Sequence, residues 1–283
     1  MNTALSQRAT ALLRSCSIEL SPRDALAGEA MRGLLDPGTT VFVNFPSSAG
    51  YRDVAAACVW LRRAGFIPVP HVVARRLEGY ADASDFLRRL ADEADVAQIL
   101  LLGGDSPRPA GGFDSALSLL STGAVECCGI RAVAFAGYPE GHPQIAAGVL
   151  QASLTVKLEV ARRRGLAVSL VTQFGFEAPP ILRWIAVQRA AGVTCPIRIG
   201  LAGPATVATL AKYAVRCGIG ASLRALTRGH AAIARILAES DPGALIEALV
   251  AGEDPNSPID ALHLFSFGGV SRTAGFLKSL PGI

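Results

Sequence analysis

The sequence predicts an α/β fold, a single-domain (β/α)8 barrel. Three observations carry that expectation. Eight short apolar runs rich in β-branched residues alternate with helical segments along almost the whole of the 283 residues, the order of a parallel sheet wound with helices. No linker, composition break, internal repeat or low-complexity segment interrupts them. An open doubly wound sheet is the alternative, and it would carry a Gly-rich phosphate loop after its first strand. Here ELSPRDA follows that strand, and neither GxGxxG nor GxxxxGK[ST] occurs.

The elements are read in order. Ser15 to Leu20 (SCSIEL) is the first strand, and Pro22 opens a helix through about Leu35, since proline suits the first helical turn. Asp36-Pro37-Gly38 is a turn before the second strand, Thr40 to Phe45. A helix over Tyr51 to Ala64 is stopped by Gly65. Ile67 to Val73 (IPVPHVV) is the third strand, with two prolines that are unusual away from an edge. After a helix over Ala81 to Ala94 comes the most apolar strand, Gln98 to Gly104, then a loop and a helix over Phe113 to Leu120. Arg131 to Gly137 is the fifth strand, and a long helix runs from about Pro143 to Arg164.

Val168 to Phe176 (VSLVTQFGF) is the sixth strand, apolar and β-branched before it delivers one amide, Gln173, between aromatics. A helix over Ala178 to Ala191, a seventh strand over Pro196 to Ala202 and a helix over Thr206 to Cys217 follow. Two extra helices, Ser222 to Glu239 and Pro242 to Ala251, precede the eighth strand, Ala261 to Phe267, and the tail is helical, then frayed.

Composition narrows the function. Hydrophobic residues make up 51% and charged residues 18%, with a net charge of +4, enough apolar material for one large core. The dense basic run, Arg162-Arg163-Arg164, sits at a helix end where cations favour the dipole. No broad basic face with interleaved aromatics points to nucleic acid. The six cysteines are scattered, with no CxxC, which is expected of a reduced, cytoplasmic protein. The first residues lack a signal-peptide pattern, and no apolar run reaches the about 18 residues of a membrane span.

A parallel barrel works at the C-terminal ends of its strands. Those positions carry Glu19, Asn44, His71, Asp105, Tyr138 with His142, Gln173 and His263. The last reads as a core histidine, and His230 as a surface one. The three lysines, 157, 212 and 278, end no strand, so a Schiff-base aldolase is not expected. No serine lies in a GxSxG elbow and no cysteine ends a strand. Metal-ligand spacing such as HxH or HExxH is missing, and no metal is expected. Two separated carboxylates, imidazoles, an amide and aromatics suit a planar heterocycle that is stacked and hydrogen-bonded, with one carboxylate as acid or base.

The segments SIELSPR (17–23), VPHVVAR (69–75), LLGGDSP (101–107), AGYPEGHP (136–143), LVTQFGFE (170–177) and LAKYA (210–214) resemble methylenetetrahydrofolate reductases in order and spacing over nearly the whole chain. YPEGHP and TQFGF are the specific pieces. The resemblance implies a barrel with FAD as cofactor, NAD(P)H as electron partner, and interconversion of 5,10-methylenetetrahydrofolate and 5-methyltetrahydrofolate. It implies Glu19 as general acid, Asp105 as the residue that tunes the flavin, and Gln173 as the pterin's hydrogen-bond partner. Asn44, His71, Gly104, Phe113, Tyr138 and His142 are implied at the flavin. Tyr213 and Arg272 are implied at the folate, and Arg162 stands where the family carries a lysine.

Departures mark a divergent member. The family's Arg-Gly-Asp is Gly103-Gly104-Asp105 here, so a cation is lost, and Gln151 replaces an acid. A flavin-free pterin-binding barrel, whether methyl transferase or non-catalytic folate-binding subunit, is the alternative. A homo-oligomer is left open.

Overall fold

The computed structural model describes residues 5–27, 33–219 and 239–279. Eight strands close into one parallel barrel. In chain order they are β1 (Ser17–Leu20), β2 (Thr40–Val43), β3 (Ile67–Val73), β4 (Gln98–Leu102), β5 (Ala132–Gly137), β6 (Ala167–Thr172), β7 (Ile197–Ala202) and, after a short pair, β10 (Ala261–Phe265). Around the barrel the order is β1-β10-β7-β6-β5-β4-β3-β2. Contacts within the chain gather into two compact units. One is Met1–Ile18, Gly137–Ala147 and Val171–Ile283, and the other is Glu19–Ala136 and Gly148–Leu170.

In the second unit, α2 (Pro22–Leu26) precedes β2, α3 (Tyr51–Arg63) joins β2 to β3, and α4 (Tyr80–Arg88) lies between β3 and β4. Ser21 caps α2 in a reciprocal box with Asp24. The prolines of β3 are accommodated by register. Ile67 donates its N–H to Thr39 on the β2 side, so by alternation Pro68 and Pro70 turn their donorless nitrogens toward β4. The β3–β4 ladder begins only at His71, opposite Leu100. The helix expected over Ala81 to Ala94 begins at Tyr80 and widens into a π turn over Arg89–Glu93. The helix expected from Phe113 starts at Ala116, as α5 (Ala116–Ser121), and α6 (Ala124–Cys127) follows it. The long α7 covers Ala147–Arg163, because the residues between Pro143 and Ala147 form a turn.

In the first unit, β7 and β10 pair with His263 opposite Gly200. They are flanked by α8 (Ala178–Ala190), α9 (Val207–Arg216), α10 (Gly243–Ala251) and α11 (Val270–Lys278). The N-terminal α1 (Gln7–Arg14), capped by Ser6, was not legible as an element. Nor was the small antiparallel pair of β8 (Ala205–Thr206) and β9 (Glu239–Ser240). Two strands end earlier than their apolar runs: β6 at Thr172 rather than Phe176, and β10 at Phe265 rather than Phe267. Their last aromatics pack against each other instead of extending ladders. The helix expected over Ser222 to Glu239, with His230, lies outside the described residues except for Glu239, a strand residue. No helix among the described residues is long and apolar enough to cross a membrane.

Candidate functional site

Three sequence-predicted residues meet in the second unit. Glu19 is the third residue of β1 and alternates with the buried Ile18 and Leu20. Asn44 stands just past β2, its N–H held by Leu20 O at 3.0 Å. His71 lies in β3. Asn44 Nδ2 donates to Glu19 Oε1 at 3.4 Å, and His71 Nε2 lies 3.2 Å from Glu19 Oε2. Only 10% of the His71 side chain and 12% of the Glu19 side chain are exposed. The imidazole and carboxylate approach at ion-pair distance but are not aligned for a hydrogen bond. Phe42 meets the His71 ring edge-on at 6.5 Å and supports its orientation.

Asp105 lies beyond β4 and is exposed. Gly104 before it has φ +105, and a Cβ there would come within 2.6 Å of Val73 Cγ1, so this backbone needs glycine. The charge of Asp105 acts on Arg76: burial pulls the Arg76 guanidinium down and Asp105 pushes it up. Arg76 donates to the carbonyls of Phe45 (2.8 Å), Pro46 (2.5 Å), Ser47 (3.4 Å) and Ala49 (2.6 Å), and it lies 4.0 Å over the Phe45 ring. It therefore fixes the loop that starts at Asn44. Phe113 is buried in the core before α5. Arg162 is 73% exposed in the last turn of α7 and pairs with Glu159 at 3.1 Å. That helix end feeds the start of β6, not a strand's C-terminal end, so the structure does not bring Arg162 to the Glu19 cluster.

The first unit holds a separate aromatic group. Phe174 is fully buried and meets Phe176, Phe265 and Phe267 edge-on. Tyr213, on α9, stacks on Phe267 at 4.1 Å, and Phe267 stacks on Phe265 at 5.4 Å. Gln173 Oε1 accepts from its neighbour's N–H, Phe174, at 3.1 Å, and the Gln173 N–H donates to Gly137 O at 2.7 Å. Tyr138 and His142 meet edge-on at 5.3 Å. Burial raises the Tyr138 hydroxyl, with Cys217 adding, and lowers His142. His142 Nδ1 accepts from the Gln144 N–H at 3.2 Å, which places the neutral ring's proton on Nε2. His263 is fully buried with Nδ1 2.9 Å from Ser17 Oγ, a core histidine as expected. Arg272 is exposed on the first turn of α11.

Sequence reasoning missed Arg75, Arg76, Phe265 and Phe267 as site residues. Signals were present: an arginine pair one residue past a buried strand, and phenylalanines two apart where β10 ends. Among the described residues no group of three or more His, Cys, Asp or Glu is placed to hold a metal ion.

No protein-family model matches this chain. It is similar to a solved structure of Yersinia pestis DHPS with a pterine-sulfa conjugate. The two share 11% identity over 94% of each chain, at a TM-score of 0.49.

Proposed function

We propose that the chain is a flavin-dependent oxidoreductase that interconverts 5,10-methylenetetrahydrofolate and 5-methyltetrahydrofolate, with NAD(P)H as electron partner. The observation that carries the reading is the enclosed Glu19 carboxyl, 3.2 Å from His71 Nε2 and 3.4 Å from Asn44 Nδ2. An acid screened from water at a strand end is suited to protonate a substrate nitrogen. The sequence resemblance supplies the substrate class.

The residues present fit a polar, ring-bearing cofactor. Asn44 Oδ1 and Arg75 Nε are buried without a hydrogen-bond partner among the described residues, an acceptor and a donor left for a ligand. Asn44, His71, Gly104, Asp105 and Phe113 would hold FAD. FAD supplies, when bound, a hydride at its reduced ring. Glu19 holds the proton that the folate ring accepts as it opens, and Asn44 and His71 orient that carboxyl. Asp105 sets the charge near the cofactor ring. Gln173, Tyr213 and Arg272 keep the folate-binding roles that the resemblance implies.

A second reading is a flavin-free pterin-binding barrel. It is favoured by the placement of Arg162 at the exposed end of α7 and by Gly103 where a cation is expected.

An absorbance spectrum of the purified protein separates the two. Flavin bands are expected, and a colourless protein that takes up no FAD sinks the first reading. Glu19→Gln is expected to slow methylenetetrahydrofolate reduction about 100-fold or more, with flavin reduction by NAD(P)H nearly unchanged. Equal loss in both half-reactions would count against Glu19 as the acid.

A further inference from the structure

Two adjacent arginines leave the end of β3, and they differ in what they touch. Arg76 donates from both terminal nitrogens to four main-chain carbonyls. Arg75 has a buried Nε without a hydrogen-bond partner, and its side chain makes no hydrogen bond or ion pair among the described residues. Its main chain is firmly placed. The Arg75 N–H donates to Gly103 O at 2.9 Å, and Ala110 N–H donates to Arg75 O at 2.8 Å. Arg75 Cβ lies 3.6 Å from where a Cβ on Gly104 would be. Gly111 passes so close to Glu78 that a Cβ would meet its carbonyl oxygen at 1.8 Å. The segment 103–111, glycine-paired at both ends, is thus wrapped on Arg75. Two exposed carboxylates lie in the arginines' field without pairing with Arg75. Asp105 acts on Arg76, and Asp114 is held low mainly by the Ser115 and Ser118 hydroxyls, with Arg75 contributing least.

We infer that Arg75 is an anion-binding residue that grips the pyrophosphate of a bound dinucleotide at the Gly103-Gly104 turn. A buried guanidinium nitrogen with no internal acceptor is costly to leave unsatisfied. A phosphate oxyanion matches its planar fork. The cation missing at position 103 is supplied from the neighbouring strand, one main-chain hydrogen bond away. The inference rests on the dinucleotide use proposed above. Two dinucleotides carry this chemistry, FAD and NAD(P)H, and the test separates them.

Titration calorimetry of the wild-type chain, Arg75→Met and Arg75→Lys with FAD, NADH and 5-methyltetrahydrofolate is the experiment, with near-ultraviolet circular dichroism and melting to confirm folding. Arg75→Met is expected to weaken the dinucleotide about 10- to 100-fold, the value of a charge-assisted hydrogen bond. Arg75→Lys is expected to recover part of that affinity, and folate affinity to stay the same. Weakening of FAD identifies the flavin pyrophosphate. Weakening of NADH by a chain that takes up no FAD keeps the anion site and overturns the flavin reading. Equal dinucleotide affinity in wild type and a folded Arg75→Met overturns the anion site and leaves the flavin reading standing. A wild-type chain that binds neither dinucleotide overturns both. If Arg75→Met does not fold, Arg75→Lys decides alone: affinity equal to wild type for FAD, or a loss for folate as large as for the dinucleotide, overturns the inference.

Discussion

Glu19 and His71 sit where an uncompensated charge would be costly, and each is the other's neighbour at 3.2 Å. Replacing His71 by Asn removes the imidazole from beside the carboxyl and keeps the Asn44 donor at 3.4 Å. The variant is expected to lose about 1–3 kcal/mol of stability in denaturant titration. Its folate half-reaction, followed by stopped flow, is expected to slow more than its flavin reduction. Equal slowing would place His71 at the cofactor alone. Gly104 provides a test of backbone strain. Gly104→Ala puts an L residue at φ +105 and a methyl group 2.6 Å from Val73 Cγ1, and about 1–3 kcal/mol of destabilisation is expected. Gly112→Ala, with nothing within 4 Å and no left-handed φ, is the comparison and is expected to melt close to wild type. A similar loss in both would refute the strain argument. These residues were legible in the sequence because strand ends in a parallel barrel are where side chains leave the core. Arg75 and Arg76 were not, since nothing in two adjacent arginines says which one the protein itself will satisfy.

Arg76 acts on a segment more than on a ligand. Four carbonyls between Phe45 and Ala49 converge on its guanidinium, and together they fix the path from β2 to the first turn of α3. Arg76→Met keeps much of the stem but removes every donor. Hydrogen exchange at residues 45–50 is expected to quicken, most clearly at the Ala49 amide, which donates to Pro46 O at 3.0 Å. Unchanged protection there would show that the turn holds without the clamp. The strand bounds show how far pattern reading goes. Ile67–Val73 matches its expected range because the whole apolar run is ladder. The runs ending at Phe176 and Phe267 overshoot because apolarity reports burial, and Phe174 is buried against a half-buried Phe267, 4.8 Å away. The same reasoning passes over α1, whose apolar contribution is confined to Ala9, Leu12 and Leu13.

The first unit ties its N-terminal helix to the segment before β10 through one ion pair. Arg8 Nε lies 3.1 Å from Glu253 Oε1, Arg8 also donates to Ile259 O at 2.7 Å, and the Ile259 N–H donates to Glu253 Oε2 at 2.9 Å. The hydrogen bond from Arg8 is the main cause that holds the Glu253 carboxyl below its ordinary range. A carboxylate depressed in the folded state stabilises the fold above its unfolded value, about 4.3, and loses that contribution as pH falls through the lower folded value. Glu253→Gln is expected to melt earlier than wild type at pH 7, with the gap closing under acid. A gap that persists at pH 3 would mean that the effect is not electrostatic. Cys16 and Cys58 are deeply buried, and burial pushes the Cys16 thiol up to about 12, so neither belongs among reactive cysteines.

The chain's own order of residues was enough to determine the barrel, because alternation of apolar strands with helices leaves few ways to bury so much parallel sheet. It also picked out Glu19, Asn44 and His71, since a polar group is tolerated on such strands mainly where they end. Which of those groups touch, at what distance, and which arginine is spent on carbonyls and which is left over were decided only by the tertiary structure. Those outcomes depend on register between strands and on the path of loops, and both are set by contacts between residues far apart in the chain.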